Sequence, residues 1–141
     1  MRRGYTLIET VIVLLVLALA AGIVAPSIGR GVDSIRLRAE VAGVASFLRA
    51  ARERAIAQHR TLEVGVDGEG RALVLKAGDH DVRGVRRLSS FVHVTADRSV
   101  TFFAYGLSSG GRFRIETAGA VVYVVRVDAL TGRVSTRRSE S

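Results

Sequence analysis

The chain has 141 residues, enough for one modest domain and an appendage, and much of its 48 % apolar fraction lies in the first 26 residues. It contains no cysteine, which excludes a disulfide framework and a thiolate metal site. The formal charge is +8, from 21 basic and 13 acidic residues; Lys76 is the sole lysine, an arginine bias that a GC-rich genome produces unaided and that a polyanionic partner would also favour.

Met1-Arg2-Arg3-Gly4 is a short basic leader, and residues 10–25 are almost unbroken Val, Ile, Leu and Ala. As a helix, residues 5–25 would reach about 31 Å, close to the hydrocarbon thickness of a bilayer. One acid, Glu9, stands near the head of this run. A charge in hydrocarbon costs about 2.5–3.5 kcal/mol on insertion scales, so Glu9 needs a partner cation. A cleaved secretory signal would use Ala18-Leu19-Ala20 as its site, but the apolar run continues past it without a polar segment. A plain single-span anchor leaves Glu9 unexplained. Arg2 and Arg3 are answered by Arg30, Arg36 and Arg38, so flanking charge does not decide orientation.

A third reading uses every odd residue. Arg3-Gly4-Tyr5-Thr6-Leu7-Ile8-Glu9 resembles the cleavage and methylation motif of type IV pilins and type II secretion pseudopilins. The resemblance implies that a prepilin peptidase cuts after Gly4, that Tyr5 becomes the N-methylated first residue, and that Glu9 stands fifth. The family usually has Phe where this chain has Tyr5; an aromatic ring is kept. Pro26 matches a proline that often kinks the family's helix. In the family's filaments the Glu9 carboxylate pairs with the Tyr5 amine of a neighbour. Such a pair specifies alignment more than it adds net stability.

Beyond the apolar run, Pro26 with Gly22, Gly29 and Gly31 predicts a kink or local melting between Gly22 and Gly31. Helical periodicity then resumes. Ile28, Val32, Ile35, Ala39 and Ala42 form one stripe; Val41, Val44, Leu48, Ala51 and Ala55 form a second. Arg36 and Glu40, and Arg49 and Glu53, sit four apart on polar faces. The helix should end near Gln58 or His59. Strands are predicted over 61–66, 72–77, 91–95, 100–105, 113–117 and 120–127, with a short last one over 133–137. Asp67-Gly68-Glu69-Gly70 marks a hairpin turn and Leu130-Thr131-Gly132 another, while residues 78–87 read as polar and irregular. The fold class is therefore α+β: a long N-terminal, partly transmembrane helix packed on an antiparallel sheet or small sandwich. Its divisions are a leader (1–4), an apolar assembly helix (5–26), an amphipathic second half (27–59) and a β-rich domain (60–141).

The second half carries a resemblance too. Phe102-Phe103-Ala104-Tyr105-Gly106, a Gly/Ser loop, a strand, and then Thr131-Gly132-Arg133-Val134 look like the GspH/FimT pseudopilin domain. The implied protein is a minor pseudopilin of the inner membrane of a Gram-negative bacterium, with its globular domain in the periplasm. Its partners would be the prepilin peptidase, other major and minor pseudopilins, and the secreted cargo. The alternative is a FimT-like minor pilin that binds DNA, for which Arg126, Arg133, Arg137 and Arg138 are the candidate contacts. FimT-like relatives tend to carry Gly-Arg-x-Arg, and Ser135 breaks that pattern here.

No cofactor, metal or catalytic residue is expected. Gly106-Leu107-Ser108-Ser109-Gly110 matches G-x-S-x-G, but the residues after it alternate like a strand, whereas a nucleophile elbow requires a helix. His59, His80 and His93 are isolated, and Asp79-His80-Asp81 offers too few oxygen ligands for calcium.

Overall fold

A computed structural model describes residues 6–118 and 122–139, the side chains of 23–31 excepted. The chain forms two units, Met1–Arg36 and Leu37–Ser141. One helix, α1 (Leu7–Ala57), contributes to both.

In the first unit, Thr6 caps the helix: its carbonyl accepts from the Glu9 N–H at 3.0 Å and from the Thr10 N–H at 3.3 Å. Thr6-Leu7-Ile8-Glu9 has the Thr-x-x-Glu pattern of a capping box, and Glu9 is an acid in the first turn, where the helix's positive end favours one. Every large apolar side chain from Leu7 to Leu19 is exposed, on all sides of the helix. Among the described residues no helix is long and apolar enough to cross a membrane, the described side chains of this stretch ending at Gly22. The backbone is helical throughout 7–57, so the melting expected between Gly22 and Gly31 is not found. One proline removes a single ladder bond, and the helix-forming residues on either side hold the rest. The expected kink at Pro26 falls where the side chains lie outside the described set.

In the second unit, α1 buries Leu37, Val41, Val44, Ala45, Leu48, Ala51 and Ala55. This is the second of the two predicted stripes. Val32, Ile35, Ala39 and Ala42 of the first are exposed. The helix ends in a left-handed cap at His59 (φ 50°). The Arg60 N–H donates to Ala55 O and the His59 N–H to Ile56 O, the paired bonds of a Schellman motif.

Among the described residues eight strands follow: β1 (Leu62–Val66), β2 (Ala72–Lys76), β3 (Val82–Arg87), β4 (Val92–Ala96), β5 (Val100–Phe102), β6 (Gly111–Thr117), β7 (Val122–Val127) and β8 (Val134–Ser139). They form two antiparallel four-stranded sheets, in the orders β3-β2-β1-β5 and β4-β6-β7-β8. One continuous core joins the helix stripe to Leu62, Val64, Leu73 and Leu75 of the first sheet and to Val94, Phe113, Ile115 and Val125 of the second.

Three differences from expectation have physical causes. Residues 78–87 are not irregular throughout: β3 pairs along β2, with a bulge at Leu75/Lys76. Its Val-Arg-Gly-Val-Arg-Arg sequence shows no apolar alternation, because the more buried positions of this edge strand are Gly84 and Arg86, while Val82 and Val85 are exposed. β5 stops at Phe102 because a tight turn follows, the Gly106 N–H donating to Phe103 O at 2.9 Å with Gly106 at φ 91°. Residues 120 and 121 of the expected 120–127 strand lie outside the described residues.

Two aspartates close the hairpins. Asp67 Oδ1 accepts from the Arg71 and Ala72 N–H groups, and Asp128 Oδ1 from the Leu130 N–H and both the N–H and hydroxyl of Thr131. These bonds favour the carboxylate and hold both groups below their ordinary value, Ala72 contributing most at Asp67 and Thr131 at Asp128.

Candidate functional site

Gly4 and Tyr5, where cleavage and methylation are expected, lie outside the described residues. Glu9 is described: it is exposed, in the first turn of α1, among apolar side chains that are themselves exposed.

The basic candidates distribute according to strand alternation. On β6, Arg112 and Arg114 flank the buried Phe113; on β7, Arg126 lies between the buried Val125 and Val127. All three therefore face away from the core. Arg112 is directly opposite Arg126, and Val124 lies between Arg114 and Arg137. Arg112, Arg126 and Arg137 line one groove of about 320 Å³ with Val124, Ser135 and Ser139. Directly opposed like charges destabilise a sheet, and Asp97 offsets only part of this through its 2.9 Å ion pair with Arg112. Arg138, one residue on, pairs opposite Tyr123 and faces the helix side. Arg133 borders an adjoining basin with Arg52, Arg126, Asp128, Thr131 and Ser135, of which Arg126 and Ser135 also line the first groove. Three of the four sequence candidates, Arg126, Arg133 and Arg137, thus lie along adjoining grooves, and Arg138 stands apart from them. The sequence reading missed Arg112 and Arg114 beside them. The alternation Arg112-Phe113-Arg114-Ile115 was the signal for both.

The two loops quoted for the second resemblance meet at one helix residue. Arg52 Nε donates to Gly106 O at 3.0 Å. Gly132, at φ 63°, packs so closely that a Cβ there would lie 2.6 Å from both Arg52 Nε and Gly106 O. The Tyr105-Gly106 and Thr131-Gly132 turns are therefore a packing device around Arg52. A second tie joins α1 to β3. Glu40 pairs with Arg86 at 3.3 Å and accepts a hydrogen bond from the Ser89 hydroxyl, while the Arg86 guanidinium lies over Gly43, where a Cβ would collide with it. Neither predicted i,i+4 pair, Arg36–Glu40 nor Arg49–Glu53, forms an ion pair among the described residues; Glu40 is engaged across the fold instead.

Ser108 is buried, donates to Asp128 O at 2.8 Å and accepts from the Gly110 N–H at 3.0 Å. It is followed by β6, so its hydroxyl is a loop clasp and not an exposed nucleophile. Asp81 is paired with Arg83 at 2.6 Å. Among the described residues no three His, Asp or Glu side chains gather as a metal site would require.

The family model for the type II transport protein GspH matches residues 40–131, and that for the prokaryotic N-terminal methylation motif matches residues 1–25. The chain belongs to the GspH family. It is 32 % identical over 141 residues to the type II secretion system protein H of Xanthomonas campestris pv. campestris, covering 94 % of this chain and 81 % of that one. Its fold is that of two solved structures. The type IV minor pilin FimU of Pseudomonas aeruginosa matches with a TM-score of 0.64 at 15 % identity, over 77 % of this chain and 96 % of FimU. The minor pseudopilin EpsH of the type 2 secretion system of Vibrio cholerae matches with a TM-score of 0.58 at 12 % identity, over 74 % of this chain and 96 % of EpsH. The chain is thus a GspH-type minor pseudopilin with a type IV pilin-like fold. The family's match begins at Glu40 and ends at Thr131, so it spans the Glu40–Arg86 and Arg52–Gly106 contacts, with Gly132 one residue beyond it.

Proposed function

We propose that this pseudopilin is anchored in the inner membrane by its N-terminal helix, cut after Gly4 by a prepilin peptidase, methylated at Tyr5, and assembled with other pseudopilins at the tip of a periplasmic pseudopilus that promotes protein export. The carrying observation is the helix over residues 7–19, whose large apolar side chains are exposed on every side. A helix of that kind is stable only in lipid or among other helices. Glu9 is the acid that such a setting must match, and the amine freed at a neighbour's Tyr5 supplies the charge. The role is mechanical, acting through assembly. Glu9→Ala tests the pairing: cleavage should proceed, while incorporation into pseudopili, read by shearing and immunoblotting, should fall at least tenfold. Normal incorporation would contradict it.

A second reading, DNA capture, is favoured by one observation: Arg112, Arg114, Arg126 and Arg137 share the outer face of the second sheet. Arginine–phosphate contacts give sequence-independent binding that weakens steeply with salt. The full chain in detergent should then retard duplex DNA at low salt, and Arg126→Glu/Arg137→Glu should abolish it. No retardation at low salt rules it out.

A further inference from the structure

Among the described residues the second sheet ends at β8, so one side of this strand carries backbone N–H and C=O groups that no described strand pairs. Beside it, between β8 and α1, runs an open groove of about 420 Å³. Its helix wall is one face, since Arg38, Ala42, Ala45 and Arg49 recur at spacings of four, three and four. Its strand wall is the helix-facing side of the sheet, Tyr123 beside Arg138. The floor is apolar and low, because Ala42 and Ala45 carry only methyl groups, and a backbone can approach closely there. The rim is cationic. Arg38, Arg49 and Arg138 are exposed, none forms an ion pair among the described residues, and no acid lines the groove.

We propose that this groove takes an extended, acidic polypeptide segment of a partner protein, added to β8 as a fifth strand. Strand addition satisfies the open edge through main-chain hydrogen bonds. In an extended segment alternate side chains point to one face. Small apolar residues would sit over Ala42, Ala45 and Tyr123, and carboxylates would lie among the three guanidiniums, whose planar forks suit bidentate pairing. The surface differs from the arginine face of the same sheet, whose groove has only Val124 as an apolar element. An apolar floor with a cationic rim matches a peptide better than a phosphate backbone. The inference goes beyond the assembly role of the N-terminal helix and does not depend on it.

The test uses the full chain in detergent micelles at low salt. The probe is a fluorescent octapeptide of alternating Glu and Val, with a Lys–Val octapeptide and a thymidine oligonucleotide as comparators. The Glu–Val peptide should bind, the Lys–Val peptide should not, and hydrogen exchange at the β8 amides should slow when the Glu–Val peptide is bound. Arg38→Glu/Arg138→Glu should weaken binding at least tenfold and the milder Arg138→Gln about threefold. Arg126→Glu/Arg137→Glu, on the opposite face, should change it less than twofold. The proposal is overturned by no binding of the Glu–Val peptide, by unchanged β8 exchange, by equal losses from both charge-reversal pairs, or by tighter oligonucleotide binding that Arg38→Glu/Arg138→Glu removes. Those failures would leave membrane anchoring and Glu9 pairing untouched.

Discussion

Two roles are open to Glu9, and different substitutions separate them. As the third helical residue after the Thr6 cap, its side chain stands where the helix's positive end favours an acid, an effect of about 0.3–1 kcal/mol. As the acid of an otherwise apolar head, it is the group a neighbour's amine would neutralise. Glutamine serves a capping box as well as glutamate, so Glu9→Gln keeps the cap and removes the charge. Incorporation should fail in both Glu9→Gln and Glu9→Ala; if only the alanine variant failed, capping and not pairing would be the role. Two backbone positions make a further pair of opposite sign. His59 occupies the left-handed region that glycine prefers, so His59→Gly should stabilise the β-rich unit by about 1 kcal/mol. Gly132→Ala would place a methyl group against Gly106 O and Arg52 in the same left-handed region, and should destabilise it by roughly 2 kcal/mol. Thermal melts of the two variants check both signs.

At the level of elements, α1 is read well by its periodicity and poorly by its partners. The stripe through Val41, Val44, Leu48, Ala51 and Ala55 is the one that meets the sheets, because only these residues have strand side chains to pack against. The stripe through Val32 and Ile35 has the same spacing and is exposed. Periodicity identifies an apolar face and is silent on what covers it. Leu48 is fully buried at the centre of the packed stripe, so Leu48→Ala should cost about 2–5 kcal/mol, measured by chemical denaturation of the solubilised chain. Val32→Ala should cost little in the same assay. Strands with one buried side were legible from alternation: β1, β4 and β6 begin and end within two residues of expectation. β3 was not, since both its faces are partly wet. Alternation also decides which arginines share a face. Counting arginines near the C-terminus groups Arg137 with Arg138, whereas the pleat sends them to opposite sides and brings Arg112 and Arg114 to Arg126 instead. Cross-fold ties such as Glu40 to Arg86 and Arg52 to Gly106 had no sequence signal, because each joins residues some 50 apart along the chain.

For the molecule as a whole, the two units divide the work. The chain keeps a pilin-like fold shared with FimU and EpsH at 12–15 % identity, so the architecture survives replacement of most of the sequence. Under the proposed reading, entry into a filament would rest on the N-terminal helix, and choice of partner on surface features such as the β8 groove and the arginine face. The decisive quantity is the mass of the mature chain purified from the membrane of the producing bacterium. The account predicts a polypeptide beginning at Tyr5 and bearing one methyl group on its terminal amine. A mature chain that polymerises while still beginning at Met1, or one cut after Ala20, would contradict it.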